Sequence, residues 1–247
     1  MNIFQGLKLL RTRFGVTMVR DTGSARMTIA LRGRPFARLP DTAPLAASIG
    51  GLQGIKLNVG GGKGHPKVLG WTIVDLRETA DLQLDLTRER LPFDDGSVAI
   101  IFTSHMLEHI YPRHLDFILG EFYRTLRAPD GLLRIAVPDI ALAIKAYAER
   151  REQFFYDGDV GLEERNIPIA GLLASWLYST RLFKDPDGHG GDGHVHCFDA
   201  DYLMYRLRRV GFRKVWRSSY QSSVAKELRT DAFDRHPHDS LFVETSK

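Results

Sequence analysis

The sequence predicts an α/β fold: a doubly wound, mostly parallel sheet with an antiparallel edge strand, a basic amino-terminal extension and an inserted cap. Three observations predict it. Short apolar runs at Ile55–Val59, Thr72–Val74 and Val98–Phe102 each end in a glycine, an acid or small polar residues, the pattern of strands whose carboxyl ends face a ligand. Strand-like and helix-like periodicities then alternate from Pro112 onward, as βα units require. Finally, Gly60, Gly61, Gly62 and Gly64 follow the first run at once, so a strand breaks into a loop whose backbone can approach a ligand closely.

The elements follow in order. Residues 1 to about 50 are basic, with Lys8, Arg11, Arg13, Arg20, Arg26, Arg32, Arg34 and Arg38 against only Asp21 and Asp41. Phe4, Leu7, Leu9 and Leu10 suggest a short amphipathic helix, and Val16–Val19 and Met27–Leu31 flank a glycine turn as a hairpin does. This extension reads either as a solvated flap or as a surface for peripheral contact with anionic lipid or acidic glycan. Pro35, Pro40 and Pro44 punctuate a linker, and the main domain is expected over residues 51–247.

Within that domain, the turn signal Phe93-Asp94-Asp95-Gly96-Ser97 precedes the Val98 strand, which delivers Thr103, Ser104 and His105 at its end. Leu115, Ile118, Leu119, Phe122, Tyr123 and Leu126 predict a helix over Pro112 to about Ala128, stopped by Pro129-Asp130-Gly131. A strand Leu132–Val137 and a helix Ile140 to about Arg151 follow. Residues 152–197 mix aromatics with the loop DPDGHGGDGHVHC and read as an inserted substrate-facing cap. Asp199 caps a helix Ala200–Arg209 that Gly211 ends, and strands Lys214–Arg217 and Ser240–Thr245 complete the sheet.

Composition excludes several classes. At 247 residues with 43% hydrophobic content the chain can bury a sizeable core. A net charge of +4 is too modest to indicate nucleic acid. Cys197, the single cysteine, excludes an intramolecular disulfide. No apolar run approaches the roughly 20 residues of a spanning helix, and the first residues lack a secretory signal pattern, so a cytoplasmic location is expected.

The glycine loop narrows the ligand. A P-loop needs Lys followed by Ser or Thr after its last glycine, whereas His65-Pro66 stands here. A pyrophosphate site needs a helix amino terminus, yet only Pro66–Leu69 is available before the next strand. A ligand without a pyrophosphate is favoured.

These residues resemble the class I S-adenosylmethionine-dependent methyltransferases. LNVGGGKG is similar to the family's first motif, VDL to its second-strand acidic motif, and DLTRERLPFDDGSVAIIFTSHMLEHI with EFYRTLRAPDGLLRIAVPD to its third to fifth strands. The short Gly70-Trp71 strand start resembles a type-11-like subgroup associated with bacterial polysaccharide assembly. Asn58, where the family more often has an acid, and Gly61 depart from the pattern. The resemblance implies a Rossmann-like methyltransferase fold and S-adenosylmethionine as cofactor. It implies that Gly60, Gly62 and Gly64 pack against the methionine moiety and ribose, that Asp75 accepts from the ribose hydroxyls, that Asp85 and the backbone of Leu86 meet the adenine, and that Ser104 and His105 lie beside the sulfonium.

Methyl transfer to a hydroxyl needs a base; of His105, His109, His189, His194 and His196, the favoured candidates are His194 and His196 in the cap loop, followed by His105. Glu108 and His109 read as ordinary capping and packing residues at a helix start. His189, Asp192, His194, His196 and Cys197 offer metal-ligand types without a completing cluster, and a metal-free site is expected. The expected function is methylation of a sugar or glycan hydroxyl; the alternatives are a non-catalytic cofactor-binding protein and an RNA or protein methyltransferase.

Overall fold

The computed structural model describes residues 16–20, 27–31, 52–61, 66–157, 166–178 and 193–247. The expected helix around Phe4–Leu10, the proline linker, Gly62, Gly64, His189 and Asp192 lie outside these residues. The chain divides into two compact units, Met1–Asp41 and Thr42–Lys247. In the first, β1 (Val16–Arg20) and β2 (Met27–Leu31) pair antiparallel, Val16 opposite Leu31.

The second unit is built on a seven-stranded sheet. Its strands are β3 (Ile55–Val59), β4 (Thr72–Asp75), β5 (Leu82–Gln83), β6 (Val98–Ser104), β7 (Leu132–Pro138), β8 (Lys214–Ser218) and β9 (Ser240–Ser246), in the order β5-β4-β3-β6-β7-β9-β8. The first five in that order are parallel, and β9 runs antiparallel to both β7 and β8. This is a Rossmann-like, doubly wound arrangement. The antiparallel strand is not outermost: it inserts between β7 and β8, and the pair β8–β9 forms the antiparallel margin. Both faces of β6 and β7 are covered, and every residue of each strand is buried, which is why they read as mainly apolar runs, broken in β7 by Arg134.

Helices cover one face. In α1 (Pro112–Thr125), Pro112 starts the helix where no amide donor is needed, and Leu115, Ile118, Leu119 and Phe122 recur at helical spacing on the buried side. In α5 (Ala200–Arg209), the Asp199 carboxylate accepts from the Tyr202 amide at 2.8 Å, and Leu203 and Leu207 join the same core. Gly211 ends it at φ +120°, where a side chain would also meet the Tyr123 ring.

The opposite face has a different cover. With no helix between β3 and β4 among the described residues, the segment between β8 and β9 lies there instead, burying Val224, Ala225, Leu228 and Phe233 against Ile100, Phe102 and Trp216. The Phe233 ring meets Phe102 edge-on at 5.1 Å, an arrangement worth about 0.5–1.5 kcal/mol beyond its buried area.

A third cluster joins α2 (Ile140–Ala148), α3 (Gln153–Asp157) and α4 (Ile169–Tyr178) through Ala143, Ala146, Phe155, Leu172 and Trp176. Asp139 caps α2 by accepting from the Ala141 amide at 3.0 Å. Trp176 Nε1 donates to Asp239 at 3.3 Å, which ties this cluster to the approach to β9. No described helix is long and apolar enough to cross a membrane.

Candidate active site

Parallel strands carry their exits to one edge, so β3, β4 and β6 deliver Gly60, Asp75 and Ser104-His105 together. The Gly60 amide donates to the Val74 carbonyl at 2.8 Å, which fixes the glycine turn directly beside Asp75. Gly60 has φ +78°, and an added Cβ would lie 2.4 Å from Met106 Cγ. Conformation and space both demand glycine there. Asn58 beneath the turn is buried, with Oδ1 lacking a hydrogen-bond partner.

Asp75 is half-buried, and its Oδ1 accepts from the Arg77 amide at 3.0 Å. Asp85 is engaged locally. Its Oδ1 accepts from the Thr87 amide at 3.0 Å and the Thr87 hydroxyl at 2.6 Å, which holds the carboxyl below the usual carboxylate range. Leu86 points into the helix-covered core. Asp85 therefore organises its own turn.

At the end of β6, Ser104 is buried and His105 has φ +48°, a left-handed conformation uncommon outside glycine. The turn places His105 Nε2 2.8 Å from Ser240 Oγ and Nδ1 3.4 Å from Glu108 Oε1, with its ring 4.0 Å from that of His236. Ser240 belongs to a cavity of about 360 Å³ lined also by Arg217, Ser218, Tyr220, Pro237 and Phe242.

Glu108 sits in a 3-10 turn, Leu107–His109, with 1% of its surface exposed. Neither carboxylate oxygen has a hydrogen-bond partner. Burial, with a further contribution from Asp239, pushes its carboxyl up to about 8. The start of the segment returning from the cap crosses this turn: the Val195 and His196 amides donate to the Glu108 carbonyl at 2.9 and 3.1 Å. That strap brings His194 Nε2 to 3.9 Å from Glu108 Oε1 and its ring 5.0 Å from that of His109. Burial first, then His109, pushes His194 down to about 4.

The candidate histidines thus separate. His105 and His194 both face Glu108. His196 packs on Phe198 and Tyr202, its Nε2 buried without a partner, and burial lowers its pKa. Burial also pushes the Cys197 thiol up, with Glu108 adding to the effect. Glu108 is the residue that sequence reasoning discounted. Its signal was position, one turn beyond the strand end, but its burial depends on a strap more than 80 residues away.

No protein-family model matches the chain, and a search of characterised protein sequences finds no match. Among solved structures the chain is similar to an S-adenosylmethionine-dependent methyltransferase from Archaeoglobus fulgidus, with a TM-score of 0.45 and 14% identity over 78% of this chain and 86% of that one. A second, from Mesorhizobium loti, gives 0.44 and 16% over 82% and 94%. The Burkholderia thailandensis 1,6-didemethyltoxoflavin-N1-methyltransferase with bound 1,6-didemethyltoxoflavin and S-adenosylhomocysteine gives 0.42 and 14% over 78% and 70%.

Proposed function

We propose that the chain is an S-adenosylmethionine-dependent methyltransferase acting on a hydroxyl of a sugar or glycan. The observation that carries the cofactor is the pairing, at one sheet edge, of the obligatory glycine turn at Gly60 with the part-exposed carboxylate of Asp75. The glycine turn admits close backbone approach, and a carboxylate suits a pair of vicinal hydroxyls. Gly60 and Asp75, with the backbone around Leu86 and the strand end at Ser104, would hold the cofactor. Gly62 and Gly64 belong to the same reading through the sequence resemblance. When bound, the cofactor supplies an electrophilic methyl group on a sulfonium.

What remains for the chain is to hold an acceptor and take its proton. His105 is best placed, because its Nε2 already meets the hydroxyl of Ser240 on the wall of the cavity. An acceptor hydroxyl in that cavity loses its proton to Nε2, and Glu108 beside Nδ1 orients the ring. Tyr220 and Phe242 offer apolar faces and Arg217 and Ser218 polar edges, a mixture suited to carbohydrate. Of the three candidate bases His105 is favoured; His194 contributes through Glu108, and His196 supports packing.

Calorimetric titration with S-adenosylhomocysteine tests the cofactor. The full chain is expected to bind, and Asp75→Ala to lose charge-assisted hydrogen bonds worth about 1.5–3 kcal/mol, a tenfold to hundredfold loss of affinity. No binding by the unmodified chain would overturn the reading. His105→Gln is expected to lower turnover on a glycan acceptor by about 10²–10⁴-fold while changing cofactor affinity only a few fold. Binding without turnover on any sugar acceptor would favour a non-catalytic cofactor-binding protein.

A further inference from the structure

We infer that Glu108, His109 and His194 form a binding site for one divalent first-row transition cation, with zinc as the reference ion. This departs from the metal-free site expected from sequence and stands independently of the methyltransferase reading. One ligand atom from each residue lies within 4.8 Å of the other two. A point equidistant from three atoms so spaced is roughly 2.8 Å from each, so less than an ångström of side-chain closure reaches the roughly 2.0–2.2 Å of zinc–nitrogen and zinc–oxygen bonds. Two imidazoles and a carboxylate are the donor set of open zinc and non-haem iron sites.

The second observation is the stranded carboxylate. Glu108 is 1% exposed and neither oxygen accepts a hydrogen bond, although burying a carboxylate is costly unless a counter-charge or donors meet it. The ring nitrogens of His105, at 3.4 Å, and His194, at 3.9 Å, face its Oε1. A cation answers both needs at once, supplying positive charge to the carboxylate and taking lone pairs from imidazoles. His109 Nδ1 lies 3.3 Å from the Gly193 carbonyl oxygen, which ties its ring to the segment that carries His194. His109 is exposed, which leaves one side of the site open to water or a ligand oxygen.

The test uses the full chain without cofactor, stripped with a chelator and then titrated with Zn²⁺, bound metal being counted by elemental analysis. One zinc per chain is expected. Loss of a residue that merely supports a metal ligand weakens binding about 10–100-fold, so Glu108→Gln and His194→Ala are expected to weaken it by at least about a hundredfold. His114→Ala, a histidine outside the cluster, should bind as the unmodified chain does. Glu108→Gln preserves shape and removes the carboxyl ligand, so it decides the matter even if His194→Ala does not fold. Uptake below about a tenth of an equivalent, or unchanged affinity in folded Glu108→Gln, would overturn the site.

Discussion

Two buried carboxylate clusters lie in this sheet, and they are wired oppositely. In the first, Arg134 enters the middle of β7, with Asp234 and Glu244 all at 0% exposure. Its five N–H donors meet five acceptors. Nε and one Nη2 hydrogen go to the Asp234 carboxylate, Nη1 donates to Glu244 Oε1 at 2.9 Å and Ser218 Oγ at 3.0 Å, and Nη2 also donates to the Ser219 carbonyl at 2.9 Å. The acids are completed by the backbone, the Gln221 amide on Asp234 and the Val224 amide on Glu244. In the second, Glu108 is equally buried and accepts nothing. Burial alone therefore does not distinguish scaffold from site here. Satisfaction does: the first cluster pins the β8–β9 connection onto the sheet face that it covers, whereas the second holds capacity for something to bind.

The largest effect expected from breaking this contrast is at Arg134. Arg134→Met leaves two acids buried without a counter-charge, and about 3–5 kcal/mol of stability should be lost. Urea denaturation followed by circular dichroism measures it, and a loss below about 1 kcal/mol would mean that water reaches the acids. Glu244→Gln is milder, because Arg134 keeps Asp234 and an amide still fills the space. The loss of one charge-assisted bond should cost about 1.5–3 kcal/mol on the same assay.

The difference between the clusters also explains what could be read in the sequence. β3, β6, β7 and α1 were legible because each is an apolar run or stripe bounded by local turn chemistry, and Gly60 beside Asp75 follows from two adjacent strand ends. The two-residue β5 is too short to show a period, and its pairing with β4 is fixed by the sheet. Residues 219–239 carry no periodicity, so their role in covering the face left without a helix is visible only in three dimensions. Arg134 was a legible anomaly, a charge inside LLRIAVP, but its partners stand 100 and 110 residues later. Glu108 resembled a helix-start residue for the same reason: local sequence gives a turn, and distant segments decide whether that turn is wet or buried.

The smallest effect is the sharpest test of the contrast, because it makes the same chemical change as Glu244→Gln at the other cluster. In chelator-treated protein, Glu108→Gln removes a carboxylate that no donor meets and supplies an amide N–H that can reach a neighbouring ring nitrogen. Stability near neutral pH should be unchanged or raised by about 1 kcal/mol, opposite in sign to Glu244→Gln. The effect should also depend on pH. Glu108 stands at about 8 in the fold against an ordinary 4.5, a raised value, so its contribution to stability is complete below about 4.5 and is lost as pH rises through about 8. Glutamine does not titrate, so the advantage of the variant should be absent near pH 4.5 and grow toward alkaline pH. A variant that is destabilised equally at all pH values would place Glu108 with Arg134 in the scaffold, joined to partners by bonds that an amide cannot replace.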